Sequence, residues 1–504
     1  MASYNGETSK YGRKTIYINQ TEKSLLELSP IKLKRVLEQY IPSIIAIHDE
    51  NKLRTRYLWD YYLGIQDIKD KKKFVREEIN NKKVENWAYA IIDFKKAWQL
   101  GNPIQYVMIN SSSSDEIEEL NKYVRYQNKE SKDQEIYEDV LVTGRGFRYQ
   151  NKKSPIEEGE APFEIENIDR DTCEVVYSNA IGHEQLFSVV ITDMEERVVT
   201  GENEEVKNYV ELTIYLRNKQ LTCQYRDKKV IWAKEIKPII LNEHIVLEYY
   251  VNRDRISLIE IGKDLFDGIN HLESLDFDDL EQFVNALMVF TNAEVNEEEM
   301  AEIKKLGAVQ IKSTENRKAS VSLLQNRLSS SDTQVFYTRL LTSLHQILGI
   351  PMATDNGSVT SGDTGKAKMT GQGYTSAGIR AKTDETMFKK CDFNSLKVIL
   401  KICKNYAGSK IKELKANEVD SKMNRDMSDN LLVKTQALSN LLTTGVPKEY
   451  AVPIVNLFSD STAVVKEMEK AEKINQNKPI NNTQTNQQQN NSITNAEELD
   501  SQQQ

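Results

Sequence analysis

Apolar residues recur at three- and four-residue steps between residues 84 and 98, which predicts a helix with a broad apolar face. The repeating positions are Val84, Trp87, Ala88, Ile91, Ile92, Phe94, Ala97 and Trp98. Gly101 and Pro103 then end the helix, because glycine accepts a left-handed cap and proline cannot continue the hydrogen-bond ladder. Residues 104–108 alternate like a strand.

The same pattern divides the rest of the chain into helical and β-rich parts. Residues 30–154 are mainly helical, whereas residues 162–250 contain short β-rich runs separated by polar turns, as in an antiparallel sheet. Two further helices are predicted over residues 257–285 and 331–350, with strand-like segments between them. The fold class is therefore α+β and mainly helical.

The helix predicted over residues 257–285 has two kinds of face. Its apolar face consists of Leu258, Ile261, Leu265, Ile269 and Leu272. Asp264, Asp267, His271 and Asp278 lie on another face at matching helical steps. Such a stripe is usually a solvated helix surface, but in a ring-shaped assembly the same stripe would line a channel.

Composition changes sharply after residue 351. Residues 352–375 are rich in Gly, Ser, Thr and Asp, including Gly357, Gly362 and Gly365, and this composition predicts a mobile loop. A long helix follows, and residues 429–472 are helical with an interruption at residues 445–447. From residue 475 onward roughly half the residues are Asn or Gln, so we expect a disordered tail.

Charge and cysteine usage narrow the functional class. The 504-residue chain has 67 basic and 76 acidic residues, a net charge of −9. This balance argues against a protein that coats nucleic acid by neutralising it, although not against one that lets nucleic acid slide past. The four cysteines form no C-x-x-C pair, and no apolar run approaches the roughly 20 residues of a membrane span. We expect a soluble protein made in the cytoplasm, with no membrane contact.

The candidate motifs for chemistry are incomplete. Residues 360–367 resemble a nucleotide-binding loop, but Thr360 stands where the first glycine is required and Ala367 where a hydroxyl is required. The short motif Gly144–Gly146 favours a backbone turn over a phosphate site. Asp276, Asp278 and Asp279 lack the rest of a calcium loop, and the five histidines form no metal-binding pair. We therefore predict no catalytic residue, no metal and no cofactor.

Several segments in order resemble the portal proteins of tailed phages of the Bacillus-siphophage type. Tyr61-Tyr62-x-Gly64 precedes a helix that ends in Gly101-x-Pro103-Ile104-x-Tyr106, as in that family. The family's Ser-x-x-Glu and Leu-Ile-Asp-x-x-Asn…Asp-x-x-Asp-Phe stretch is matched at Ser257, Glu260, Leu265, Phe266, Asp267, Asn270, Asp279 and Phe283. Thr364–Ala367 is similar to its Ser-Gly-x-Ala, and residues 423–470 are similar to its closing helical segment. The departures are Lys368, where leucine is usual, and residues 251–255, where an Asn-Pro-like turn is usual.

The resemblance implies a dodecameric ring at one capsid vertex with wing, stem, clip and crown regions. It assigns residues 1–29 to an N-terminal extension, 30–256 to the wing, 257–285 and 331–350 to two stem helices and 286–330 to the clip. Residues 351–419 would form the tunnel loop and a long wing helix, 420–472 the crown, and 473–504 the tail. Asp264, Asp267 and Asp278 would then face the channel, and Lys366 and Lys368 on the loop would contact DNA.

The implied function is passage of double-stranded DNA during packaging and ejection, in a virion assembled in the host cytoplasm. The implied partners are the large terminase subunit, a head–tail adaptor, the major capsid protein and the scaffolding protein. The chain would perform no chemistry itself. Two alternatives stay open: a portal-like minor head or adaptor protein, and a DNA-acting enzyme with a degenerate nucleotide-binding loop. Ring stoichiometry would distinguish the first alternative from a portal protein, and turnover of ATP or DNA by the purified protein would distinguish the second.

Overall fold

The computed structural model combines helices with antiparallel sheets. It describes residues 3–4, 11–74, 77–109, 115–157, 159–200, 203–284, 287–291, 320–324, 330–352, 374–423, 425, 431–455, 457–458 and 461–476. About 52% of the chain is helical and 21% is strand, so the predicted mixture of helices and antiparallel strands is confirmed. The chain divides into two compact units, residues 1–425 and 426–504.

The elements have the following bounds within the described residues. The helices are α1 Glu22–Leu26, α2 Pro30–Tyr62, α3 Trp87–Leu100, α4 Asp115–Tyr126, α5 Lys129–Thr143, α6 Leu258–Val284, α7 Ser330–Leu348, α8 Tyr374–Asn405, α9 Leu431–Thr443, α10 Lys448–Val455 and α11 Ser461–Gln476. The strands are β1 Ser3–Tyr4, β2 Ile16–Ile18, β3 Gln105–Met108, β4 Gly146–Lys152, β5 Phe163–Ile168, β6 Cys173–Ser178, β7 Gln185–Thr200, β8 Asn203–Leu216, β9 Lys219–Arg226, β10 Lys229–Pro238, β11 Val246–Tyr249, β12 Leu287–Thr291, β13 Ser320–Leu324 and β14 Val419–Lys422.

The largest sheet in the described part of the chain has the strand order β1-β2-β6-β7-β8-β9-β10. Its neighbouring strands are antiparallel except β2 and β6, which run parallel with Ile16 opposite Val176. Helix α2 covers one face, where its Leu37 and Ile44 join Leu212 in one buried apolar cluster. The predicted N-terminal extension thus contributes strands to this sheet.

A three-stranded sheet has the strand order β11-β4-β5 and contacts both the large sheet and helix α8. Alternate residues of β11 point to opposite sides, as the strand period of two requires. Val246 joins the apolar cluster with Val175 of the large sheet, whereas Tyr249 packs against Phe388 of α8, with ring centroids 5.2 Å apart. This small sheet therefore joins the two layers.

A buried cluster of charged side chains connects α5, β4 and α8. Arg148 has no solvent exposure and donates to Asp133 at 2.7 Å, while Lys129 pairs with Asp133 at 2.7 Å and with Asp392 at 2.9 Å. The Tyr106 hydroxyl of β3 donates to Asp392 at 3.0 Å. Because each charge has an opposite partner, the cluster is tolerated in the core.

Strand β3 pairs with β14, which lies at the far end of the first unit in the sequence. The pairing is antiparallel, with Met108 opposite Val419 and Gln105 opposite Lys422. The strand over residues 104–108 was predicted, but its partner was not. Residues 420–422, which the sequence analysis placed in the crown, therefore belong to the first compact unit.

The link between α5 and β4 is a backbone turn, as favoured for the Gly144–Gly146 motif. Gly144 has φ +88° and caps α5, with its N–H donating to Val140 O at 2.9 Å. A Cβ atom there would lie 2.0 Å from the carbonyl oxygen of Arg255. The position therefore requires glycine for both conformation and space.

Helices α6 and α7 pack against each other in opposite directions. Gly262 of α6 lies against Leu348 of α7, and Gly268 lies against Leu340. Both helices begin and end close to the bounds predicted from periodicity. Strands β12 and β13 pair antiparallel between them, and residues 292–319 lie outside the described ranges.

The second unit contains α9, α10 and α11. Gly445 has φ +83° and separates α9 from α10, at the interruption that the sequence predicted. Helix α11 reaches Gln476, and most of the Asn/Gln-rich tail lies outside the described residues.

Candidate functional site

The N-terminus of α6 is held by a reciprocal cap. The Ile259 N–H donates to the Ser257 hydroxyl at 3.0 Å, and the Ser257 N–H donates to the Glu260 carboxylate at 2.8 Å. This arrangement is a variant of the capping box, with a serine before the helix and a glutamate three residues later. The Ser-x-x-Glu motif therefore sets where α6 begins.

The other carboxylate oxygen of Glu260 binds the N-terminal segment of the chain. It accepts a hydrogen bond from the Gly12 N–H at 3.1 Å and forms an ion pair with the Arg13 guanidinium. Both charged side chains are almost fully buried. Gly12 has φ +83°, and a Cβ atom there would lie 2.3 Å from the Asp254 carbonyl oxygen. Glycine is therefore needed where this segment crosses the entrance to α6.

About two turns further along α6, Asp267 binds the end of α2. Its carboxylate accepts from the Tyr61 hydroxyl at 2.7 Å and from Lys263 Nζ at 2.6 Å. Lys263 also pairs with Asp67 at 2.7 Å, which in turn accepts from the Tyr57 hydroxyl at 2.8 Å. Burial, followed by the hydrogen bond to Asp267, raises the pKa of Tyr61, so this phenol remains a donor at any physiological pH.

The middle of α6 binds the segment that leads into α3. Asn270 accepts from the Glu85 N–H at 2.8 Å and donates to Gln66. One turn later, the Ser274 hydroxyl accepts from the Lys83 N–H at 3.0 Å. These contacts satisfy backbone N–H groups that no helix or strand pairs.

The last turns of α6 bind the Lys-rich link between α2 and α3. The Asp278 carboxylate accepts from the Asn81 N–H at 2.6 Å, from Lys71 Nζ at 3.0 Å and from Lys73 Nζ at 3.2 Å. Burial alone would raise the pKa of Asp278, but the hydrogen bonds from Asn81 and the two lysines lower it to about 2. Asp278 is therefore ionised and fully paired.

Together these contacts form a polar clamp along one side of α6. We use this name for the α6 residues Glu260, Asp267, Asn270, Ser274 and Asp278 with their partners in residues 12–13 and 57–85. The clamp covers about 18 residues, roughly 27 Å at 1.5 Å per residue. It holds α6 against the rest of the first unit.

The acidic stripe predicted on α6 is therefore divided between the clamp and solvent. Asp264 and His271 are exposed, and Asp267 is partly buried against Tyr61. Asp278 is 1% exposed because the Lys-rich link covers it, so it is not available to line a channel or to face DNA. Of the three predicted aspartates, Asp264 is the one that the structure leaves open.

The remaining predicted positions lie outside the described residues. These are the tunnel-loop residues Gly357, Gly362 and Gly365 and the DNA-contact candidates Lys366 and Lys368, and the degenerate nucleotide-binding loop lies there too. In the ranges that the structure does describe, no His, Cys, Asp and Glu cluster has the arrangement of a metal site. Nor does any helix in those ranges combine the length and the apolar character needed to cross a membrane.

The clamp was not predicted, although the sequence contains its signals. Tyr61 belongs to the Tyr-Tyr-x-Gly motif, and the Lys-rich link carries two lysines that pair with Asp278. A basic link and an acidic helix face are complementary. Which acid pairs with which lysine depends on how segments far apart in the chain meet, and spacing does not reveal this.

The α6–α7 pair exposes large apolar side chains on both helices. Those with at least half of their surface exposed are Ile261, Leu280, Val335 and Phe336. Exposed apolar groups of this size on neighbouring helices are typical of surfaces that contact another protein.

A comparison with protein-family models matches residues 42–478 to the family described as phage portal protein, SPP1 Gp6-like. The match includes every α6 residue of the polar clamp and begins after β2 and α1, so Gly12 and Arg13 lie outside it. A comparison with curated proteins gives no match.

Proposed function

We propose, from the premise that this chain belongs to the SPP1 Gp6-like family of phage portal proteins, that it forms a dodecameric ring with a central channel at one capsid vertex. Double-stranded DNA passes through this channel during packaging and ejection. The same ring docks the large terminase subunit and, later, the head–tail adaptor. Contacts with the scaffolding and major capsid proteins hold it in the shell.

The observation that carries this proposal is the α6–α7 pair. Helix α6 has 27 residues, about 40 Å at 1.5 Å per residue, and its polar clamp fixes it to the first unit. Phe336 is 55% exposed and Val335 is 69% exposed on α7. Burying the part of each side chain that is still exposed against the next copy contributes roughly 1–2 kcal/mol each, which favours assembly.

We assign the regions of a portal protein to this chain as part of the same proposal. Helices α6 and α7 are the stem, β12 and β13 with the residues between them are the clip, and residues 30–256 are the wing. Residues 351–373 form the tunnel loop, where Lys366 and Lys368 contact DNA, and α8 is the long wing helix. The crown begins after residue 425, because β14 belongs to the first compact unit.

Exposed Asp264 is the acidic residue of α6 that lines the channel in this proposal. A carboxylate repels the phosphates of the passing DNA, so the duplex moves without sticking. The chain itself turns over no nucleotide, and the terminase supplies ATP hydrolysis.

The test is electron microscopy of the purified full-length protein, made with and without its scaffolding protein. We expect closed dodecameric rings with a central hole. The variant Phe336→Glu should reduce the fraction of rings, because it places a charge in the contact between copies. Ile181→Glu is the matched control, since Ile181 is also exposed but lies in the turn between β6 and β7. Wild-type protein that stays monomeric even with scaffolding protein would refute the proposal.

A further inference from the structure

Helix α8 carries a row of exposed lysines on one side. Lys382, Lys390, Lys397 and Lys404 are all exposed, and at 100° per residue they fall within about 80° of arc around the helix axis. They extend over about 22 residues, roughly 33 Å at 1.5 Å per residue. We call these four residues the basic stripe.

The acids of α8 lie outside the arc of this stripe, and each pairs with a cation elsewhere in the fold. Asp384, Glu385 and Asp392 are the acidic residues of the helix, and they pair with Lys95 at 3.6 Å, Arg425 at 2.5 Å and Lys129 at 2.9 Å, respectively. Each of these carboxylates is mostly or fully buried. The outer side of the helix therefore carries one sign of charge.

The stripe lysines differ from their neighbours on the same helix. Lys389 pairs with Glu385 at 3.0 Å and Lys401 pairs with Glu243 at 2.9 Å. No carboxylate among the described residues lies within salt-bridge distance of a stripe lysine Nζ. Lys390 and Lys397 instead lie over aromatic rings, 5.9 Å from the centroid of Tyr250 and 4.5 Å from that of Phe393, respectively. The four ammonium groups are thus available to an external anion.

A solvated helix surface in an acidic protein usually mixes both charges. This chain has 76 acidic and 67 basic residues, so a row of four cations without an interleaved acid is unlike the composition around it. The lysines recur every seven or eight residues, about 10–12 Å apart, and the row is about as long as one turn of B-DNA, roughly 34 Å. A linear polyanion matches the sign of the row, and one turn of duplex DNA matches its length.

We propose that the basic stripe of α8 binds the phosphate backbone of duplex DNA on the outside of the protein, away from any channel. Lysine is a point charge without the planar fork that reads base edges, so the contact is independent of sequence and sensitive to salt. This contact goes beyond the proposed channel, because it requires DNA to lie along the surface. It gives the protein a second contact with DNA already inside the capsid.

The probe is a covalently closed duplex circle of about 300 base pairs, which has no end to enter a channel. Its binding to the full-length protein is measured by filter retention at KCl concentrations from 50 to 200 mM. The stripe variant replaces all four stripe lysines with glutamine: Lys382→Gln, Lys390→Gln, Lys397→Gln and Lys404→Gln. The matched control removes the same charge at four exposed lysines of other elements: Lys32→Gln, Lys152→Gln, Lys229→Gln and Lys234→Gln.

We expect the wild-type affinity to fall linearly with salt on logarithmic axes. The stripe variant should bind at least tenfold more weakly at 100 mM KCl, and its slope should be shallower by roughly 3–4, because each lost phosphate contact reduces it by about 0.9. The control variant should keep the wild-type slope. Circular dichroism and electron microscopy of both variants check that folding and ring formation are unchanged.

An equal loss of DNA affinity in the stripe and control variants would overturn the proposal, because net charge alone would then explain binding. An unchanged stripe variant would overturn it as well. Loss of rings with unchanged DNA binding would show that α8 contacts a second copy instead. If the stripe proposal fails while the wild-type protein still forms rings, the channel proposal is unaffected. The two proposals are therefore tested separately.

Discussion

Replacing Asp278 with alanine should release the Lys-rich link from the end of α6. This carboxylate receives the Asn81 N–H at 2.6 Å, Lys71 at 3.0 Å and Lys73 at 3.2 Å. The two lysine side chains are only 12% and 23% exposed. Without the carboxylate, a backbone donor loses its acceptor and two poorly solvated cations lose their only charged partner among the described residues, keeping carbonyl oxygens alone, which is costly.

The magnitude follows from the pKa of Asp278. The hydrogen bonds from Asn81 and the two lysines outweigh burial and lower this pKa from 3.8 to about 2. A depressed carboxylate pKa contributes stability that is present above the unfolded value and is lost as the pH falls through the folded value. The shift corresponds to roughly 2.4 kcal/mol at about 1.36 kcal/mol per unit. Because the lysines are partly exposed, we expect local opening to become about tenfold to sixtyfold more frequent at pH 7.

Hydrogen–deuterium exchange of the full-length protein measures this opening directly. The reporter is the peptide covering residues 77–86, which contains the Asn81 amide. Asp264→Ala is the control, since Asp264 lies on the same helix but is exposed. Asp278→Asn keeps an acceptor but loses the charge, so its exchange rate should lie between those of the wild type and Asp278→Ala. Unchanged exchange in Asp278→Ala, or equal acceleration in Asp264→Ala, would refute the reasoning.

Two further predictions concern the junction between α5, β4 and the large sheet. Burial would raise the pKa of Glu174, but the ion pair with Arg145 at 2.6 Å lowers it from 4.5 to about 2. The carboxylate therefore contributes its full stabilisation of the fold above pH 4.5 and loses it as the pH falls toward 2. Calorimetry should therefore show that Glu174→Gln lowers the Tm at pH 7 and that the difference from wild type narrows between pH 5 and pH 3; a constant difference would contradict this. Gly144→Ala should destabilise by more than about 3 kcal/mol, because a left-handed residue would also meet the Arg255 carbonyl. Gly159→Ala, with φ +86° and open space, should cost about 1 kcal/mol, and equal losses in urea unfolding would contradict the steric argument.

Local patterns predicted the helices well. The periodicity over residues 84–98 corresponds to α3 Trp87–Leu100, and residues 257–285 correspond to α6 Leu258–Val284. Both signals come from neighbours three and four residues apart, which periodicity reports directly. Strand β14, by contrast, is short and mostly polar, and its partner β3 lies far earlier in the chain, so no local pattern marks it.

The candidate site was predicted only as a face, not as a set of contacts. Asp264 and Asp278 are separated by close to a whole number of helical turns, at about 3.6 residues per turn, and therefore lie on the same side. Asp278 is buried because the link at residues 71–81 covers it, while nothing in the described residues covers Asp264. The difference arises from tertiary structure, which helical spacing does not contain. The same holds for Arg13, whose partner Glu260 is 247 residues away.

The pairing of β3 with β14 also determines when the first unit can finish folding. At about 5–20 residues per second, a ribosome needs roughly 15–60 s to reach residue 422 after completing residue 108. During that interval β3 has an open edge, and until residue 392 is made Tyr106 also lacks the Asp392 acceptor that α8 supplies. A chain that stops before β14 therefore retains an unpaired strand, the kind of edge that promotes aggregation. Nascent chains of this protein depend on late synthesis to close an early element, so chaperone binding at β3 should persist until β14 leaves the ribosome.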